Sequence, residues 1–161
     1  MVYNRKKTDQ QRSEIMRIRI EPITEENQKD VLKLEAACGQ EGFVESVEEC
    51  LEEAGQWRQW RPVGLYVGDQ AVGFAMYGYL VGRLWFDRLL IDQRFQGRGY
   101  GREAVAMLLE RIHREYPEKK QIYLSVVEGN DQAAKLYRDF GFAFNGERDT
   151  KGEYMMVKNQ E

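Results

Sequence analysis

The feature that most constrains this chain is the run Gln96-Gly97-Arg98-Gly99-Tyr100-Gly101, set between a strand-like stretch and the longest helix pattern in the sequence. Leu84–Asp92 reads as the strand. Tyr100–Tyr116 follows with Val105, Leu108, Leu109 and Ile112 on one helical face, and Pro117 stops it. Glycine has no Cβ, so the backbone of such a loop turns sharply and lets a ligand approach closely. The helix start adds unpaired N–H groups and the positive end of its dipole. Arg94, Arg98 and Arg102 bring cationic groups to the same place. The pattern predicts a phosphate-bearing ligand held by Gln96, Gly97, Arg98, Gly99, Tyr100, Gly101 and Arg102. A glycine-rich turn that merely enters a helix is the plainer alternative.

Other anion loops fit less well. A nucleotide P-loop needs Gly-Lys-Ser/Thr at the helix start, where this chain has Gly101-Arg102-Glu103. The dinucleotide fingerprint G-x-G-x-x-G fails because Arg102 stands where its third glycine belongs. That fingerprint also opens a βαβ unit, whereas this loop lies past the midpoint of the chain.

The remaining pattern is that of one domain. Met16–Ile20 reads as a strand, and the polar, aperiodic residues 1–15 ahead of it as a mobile tail. Thr24, with Glu25 and Glu26 behind it, marks a helix start; Val31, Leu34 and Ala37 form its apolar side and Gly39 ends it. Ser46 opens a second helix, with Val47, Cys50, Leu51 and Ala54 on one face and Gly55 closing it. Strands follow at Val63–Val67 and Ala71–Leu80, joined as a hairpin at Gly68-Asp69-Gln70. After the long helix come a strand at Gln121–Val127 and a short helix from Asn130 to Phe140, closed by Gly141. Phe142–Phe144 and Glu153–Lys158 form a last pair of strands about a turn near Lys151-Gly152. The order β-α-α-β-β-β-α-β-α-β-β predicts an α+β fold, a mixed and mostly antiparallel central sheet flanked by helices, with residues 16–161 as a single domain.

Composition narrows the function. A chain of 161 residues has room for one ordinary domain, and 42% hydrophobic with 12% aromatic residues give it a core to bury. The net charge of −3 argues against nucleic acid, which wants a basic face, and mildly favours cationic ligands. The two cysteines, Cys38 and Cys50, lack the CxxC or Cys/His company of a zinc site. No metal is expected, and both read as reduced thiols in or near the core. Nothing resembles a signal peptide or is long enough to span a membrane, so a cytoplasmic enzyme is the expectation. The sequence does not set the oligomeric state; dimers are the commonest arrangement of such domains, so a homodimer stays open.

Two motifs together carry a family resemblance. Gln96-x-x-Gly99-x-Gly101 resembles the Q/R-x-x-G-x-G/A loop that holds the acetyl-CoA pyrophosphate in GNAT acetyltransferases. Downstream, Asn130, Ala133, Tyr137, Gly141 and Phe142 stand at the places of the family's second signature, N-x-x-A-x-x-x-Y-x-x-x-G-F. The element order is similar from Met16 onward. Within the family, Gly42–Ser46, Pro62–Tyr66, Val72–Gly78 and Phe144–Glu147 resemble stretches of bacterial spermine/spermidine acetyltransferases.

The resemblance implies an N-acetyltransferase that uses acetyl-CoA to acetylate a primary amine, with a polyamine such as spermidine or spermine as the leading acceptor. An aminoglycoside, a protein N-terminus or a lysine stays open as the amine. So does a non-catalytic acyl-CoA-binding module on the same scaffold. The resemblance also assigns roles. Leu89, Leu90 and Ile91 supply backbone groups to the pantetheine arm, one N–H polarising the thioester carbonyl. Asn130 touches the CoA chain, although an N-cap role would suffice to explain it. Tyr137 becomes the acid that protonates the leaving sulfur, against a packing role on the face it shares with Ala133 and Phe140. An alkylammonium with a pKa of about 10 must lose its proton before it attacks. Asp87 aligns with a strand carboxylate that acts as base in polyamine acetyltransferases; a salt bridge to Arg88 or Arg83 is the competing account. Glu41 and Glu45 border the acceptor region in this family and are expected to hold the distal ammonium groups. Glu48, Glu49, Glu52 and Glu53 read as a solvated helix face. His113, the one histidine, is assigned to the surface.

Overall fold

In the computed structural model, which describes residues 18–37, 40, 42 and 45–160, seven strands form one sheet. They are β1 (Arg19–Pro22), β2 (Trp60–Val67), β3 (Gln70–Leu80), β4 (Arg83–Ile91), β5 (Gln121–Val126), β6 (Ala143–Arg148) and β7 (Tyr154–Asn159), in the spatial order β1-β2-β3-β4-β5-β7-β6. The described helices are α1 (Gln28–Val31), α2 (Val47–Gln56), α3 (Tyr100–Glu115) and α4 (Asp131–Asp139). Every neighbouring pair of strands is antiparallel except β4 and β5. The α+β architecture is therefore the one the element order predicts.

Helices cover both faces. Val105, Leu108 and Ile112 of α3 pack with Leu84, Phe86, Ile122 and Leu124 on one side. Val47 and Cys50 of α2 pack with Val31, Phe74, Met76 and Leu90 on the other. Each fully buried aliphatic side chain contributes roughly 1.5–3 kcal/mol of apolar transfer free energy. The α2 start is locked by a capping box: Ser46 Oγ accepts from Glu49 N, and Glu49 Oε2 accepts from Ser46 N.

The first helix departs from the pattern read in the sequence. It has four residues and is not the run from Thr24 to Gly39. Thr24 N donates to Asn27 Oδ1 at 2.8 Å and Asn27 N to Thr24 Oγ1 at 3.3 Å, so these two residues close a turn ahead of the helix. Past Leu34 the backbone is taken by another element. Glu35 N donates to Asp92 Oδ2 at 3.0 Å, and Gln93 N donates to Glu35 O at 2.9 Å. Tertiary bonds outweigh the local periodicity there. Met16, Cys38, Gly39 and the segment 1–15 lie outside the described residues.

A bulge in β4 re-aims the strand. Met76 pairs with Arg88 but Tyr77 pairs with Phe86, which leaves Asp87 as the extra residue. Leu84 and Phe86 consequently face α3, whereas Leu90 faces α2. β6 is longer than expected, Ala143–Arg148, with its register against β7 shifting between Phe144 and Arg148.

Candidate active site

β4 and β5 run parallel but pair only through Leu84–Ile122 and Trp85–Tyr123. Beyond those pairs the strands part, and two cavities open in the fork. The first, of about 400 Å³, is bordered by the end of β4, the glycine loop and α4. The second, of about 310 Å³, lies against Asp87, Arg88, the C-terminal end of β5 and the β6–β7 turn. Leu89, Asn130, Ala133 and Tyr137 border both, so the cavities meet there.

The glycine loop shapes the first cavity. Gly97 and Gly99 adopt φ of 77° and 84°, and Gly99 is the N-cap of α3 with no side chain capping the helix. A Cβ at either position would meet open space, so the left-handed backbone is what requires glycine. The first N–H groups of α3 are left for a ligand. At Gly101 a Cβ would touch Ile91 Cγ1 at 3.8 Å, so the helix start lies close against β4. Gln96 braces the junction, its Nε2 donating to Ile91 O at 3.0 Å and to Gln40 Oε1 at 3.1 Å. Asp92, 1% exposed, anchors the entry to the loop. Burial alone would raise its pKa, but hydrogen bonds from Arg94 and from Glu35 N hold the carboxyl below its ordinary value.

Strand parity decides which backbone groups reach the cavity. Asp92 N donates to Val72 O across to β3, so Leu90 and Asp92 point toward β3. Leu89 and Ile91 therefore turn their N–H and C=O groups into the fork, where β5 is absent. The bond from Gln96 to Ile91 O agrees with that parity.

The loop arginines divide. Arg102 borders the cavity and pairs with Asp139 at 2.8 Å. Arg94 turns instead to Asp92 at 2.9 Å, and Arg98 lies over the Phe95 ring at 5.5 Å, outside the cavity lining. Leu89, Leu90, Ile91, Gln96, Gly97, Gly99, Tyr100, Gly101 and Asn130 do line it.

α4 carries Tyr137 to the junction. Asn130 Oδ1 accepts from Ala133 N at 3.3 Å and so caps the helix, while the same residue borders both cavities. The Tyr137 ring meets Phe86 and Phe142 edge-on, centroids 5.9 and 5.8 Å away. Burial pushes the phenol well above its ordinary pKa, and no neighbouring charge or hydrogen bond among the described residues offsets it.

The second cavity is charged. Burial is the main reason that the Asp87 carboxyl is raised to about 6, and nearby Arg88 only partly counters it. Asp87 Oδ2 is 2.5 Å from Arg88 Nη1 but out of hydrogen-bond geometry. Arg88 also reaches Glu45 at 2.8 Å and Glu53 at 3.8 Å. Glu45 borders the cavity and pairs with Lys151 as well; Glu41 lies outside the described residues. Arg83, the other partner considered for Asp87, pairs with Glu147 at 3.3 Å.

Several cavity residues carried no signal in the sequence. Glu49, Ser125, Lys151 and Glu153 border the second cavity, as does Arg88, which the sequence offered only as a salt-bridge partner for Asp87. Glu49 is exposed, as the periodicity placed it, and it borders that cavity from the capping box at the start of α2. Lys151 and Glu153 arrive from a turn far along the chain, and only the β5–β7 pairing brings them here. Burial, then the nearby Asp149, raise the Glu153 carboxyl. His113 is exposed, with Nδ1 3.3 Å from Gln160 Oε1, and lines neither cavity. Cys50 is a free thiol, buried in the α2 core and pushed up to about 11 chiefly by that burial. Among the described residues no group of three or more His, Cys, Asp or Glu could hold a metal ion, and no helix is long and apolar enough to cross a membrane.

Residues 29–142 match the family described as Acetyltransferase (GNAT) family, and the chain belongs to that family. It is 42% identical over 151 residues to a spermine/spermidine N(1)-acetyltransferase of Bacillus subtilis, covering 89% of this chain and 99% of that one. In fold it is similar to a spermidine N-acetyltransferase from Vibrio cholerae solved with CoA and spermine, with a TM-score of 0.69, 17% identity and coverage of 89% and 96%. It is also similar to the PaiA N-acetyltransferase of Thermoplasma acidophilum in complex with coenzyme A, with a TM-score of 0.66, 14% identity and coverage of 90% and 100%.

Proposed function

We propose that this chain is an acetyl-CoA-dependent N-acetyltransferase whose acceptor is a primary amine of a polyamine such as spermidine or spermine. The meeting of two unlike cavities at Tyr137 carries the reading. One offers backbone donors and a helix start suited to a pyrophosphate-bearing arm. The other sets four carboxylates, Glu45, Glu49, Asp87 and Glu153, against two cations, Arg88 and Lys151. That balance suits a polycation. Similarity to the spermine/spermidine acetyltransferase of Bacillus subtilis supports the same acceptor.

Acetyl-CoA supplies the acetyl group as an activated thioester. The uncapped N–H groups of α3 and the left-handed Gly97 and Gly99 fit its pyrophosphate, with Arg102 beside them. Leu89 N–H, facing the fork, is the donor for the acetyl carbonyl. Asp87, raised to about 6, is ionised at neutral pH yet basic enough to take an ammonium proton, directly or through water. Tyr137 stays protonated and so holds a proton for the departing sulfur. Glu45 is the partner for a distal ammonium. Holding the two substrates together supplies most of the rate, and acid–base assistance adds about 10²–10⁴-fold.

The test is incubation with acetyl-CoA and spermidine, followed by thiol titration and mass spectrometry. The reading expects one acetyl group on the polyamine for each thiol released. Acetyl-CoA binding without thiol release from any polyamine would leave an acyl-CoA-binding module and refute it.

A further inference from the structure

The turn between β6 and β7, residues 149–153, is built around one carboxylate. Asp149 Oδ1 accepts from Lys151 N and from Glu153 N, each at 2.9 Å. Asp149 N donates to Glu153 O at 2.9 Å, and Gly152 takes a left-handed φ of 81°. The turn thus fixes the origin of two side chains, Lys151 and Glu153, and both border the acceptor cavity. There the Lys151 ammonium pairs with Glu45, the carboxylate that Arg88 also holds.

The two cations hold Glu45 on different terms. The Arg88 side chain is 15% exposed and is tied to Asp87 and Glu53 as well. Removing its partners would leave a buried guanidinium unpaired, which is costly. The Lys151 side chain is 56% exposed. An exposed lysine–carboxylate pair is screened by water and costs side-chain entropy, so it sits near break-even. Lys151 is the partner that yields.

We propose that Lys151 is a tethered competitor of the acceptor: its ammonium takes on Glu45 the place of a polyamine's distal ammonium, and so sets how strongly polyamines are preferred over monoamines. The inference rests on the polyamine reading of the cavity. A bound polyamine replaces one ammonium–carboxylate pair by another and releases Lys151 to solvent. A monoamine has no distal cation and leaves the pair intact. Lys151 therefore weakens polyamine binding specifically, and it neutralises Glu45 while no acceptor is present.

The experiment measures KM for spermidine and for n-butylamine in the parent protein and in Lys151→Met and Lys151→Gln, two variants that remove the charge. The ratio of the spermidine KM to the butylamine KM should fall roughly two- to fivefold in both, by the size of a partly screened pair. Lys151→Arg, which keeps the charge, should restore a ratio near the parental one. Glu45→Gln combined with Lys151→Met should lose the gain. A ratio that ignores the Lys151 charge, or that rises when the charge is removed, overturns the inference. Failure of the parent protein to acetylate spermidine would instead overturn the polyamine reading on which it rests.

Discussion

The cavity beside the glycine loop is lined mainly by one continuous stretch, Leu89 to Arg102, completed by the face of α4. The second cavity is lined by residues from separate segments: Glu45 and Glu49 around the start of α2, the β4 bulge, the end of β5 and the β6–β7 turn. Backbone donors at a helix start serve any ligand with the same phosphates and tolerate change in surrounding side chains. A cage of side-chain charges is specific to its occupant, and single substitutions redraw it. On the proposed reading, the first cavity carries the reaction class and the second the choice of acceptor.

That contrast is testable by substitutions that should act on one side only. Tyr137 belongs to both, and Tyr137→Phe should have the largest effect: kcat lower by about 10²-fold or more, with acetyl-CoA affinity nearly intact by calorimetry. Asp87→Asn should come next, lowering kcat/KM by about 10- to 100-fold at pH 8. In the parent protein the carboxyl ionises as pH climbs through about 6, so kcat/KM should rise through that range and then level. The asparagine variant has no carboxyl to titrate, and its profile should lack that limb. Gly99→Val forces a β-branched residue into a φ of 84° at the start of α3. It should weaken acetyl-CoA about tenfold, about 1.4 kcal/mol, while the relative KM values of different amines stay put. Glu45→Gln should do the converse on a smaller scale: KM for spermidine up about fivefold, with acetyl-CoA affinity unchanged.

The same contrast explains what the sequence made legible. The glycine loop, α3 and the α4 signature are local patterns, and the structure finds them where periodicity and turn chemistry put them. The second cavity depends on contacts between residues far apart in the chain. Leu84, Phe86, Arg88 and Leu90 alternate like one strand face, so nothing local marks the bulge at Asp87 that sends Arg88 toward α2. Lys151 and Glu153 look like ordinary turn residues until β7 is paired with β5. The shortened α1 has the same origin, since Asp92 takes the backbone of Glu35 from across the molecule. Glu45 was legible as a cavity carboxylate; its pairing with Arg88 and Lys151 was not.

The central claim is that an acidic cavity beyond Tyr137 selects a polycation. One competition assay tests it directly: equal concentrations of spermidine and n-butylamine with limiting acetyl-CoA, the two products resolved by mass spectrometry. With distal ammonium groups held by one or two partly screened pairs, spermidine should be acetylated with a kcat/KM on the order of tenfold above butylamine, and added salt should shrink the preference. Equal acetylation of both amines, or a preference that salt leaves unchanged, would contradict the account.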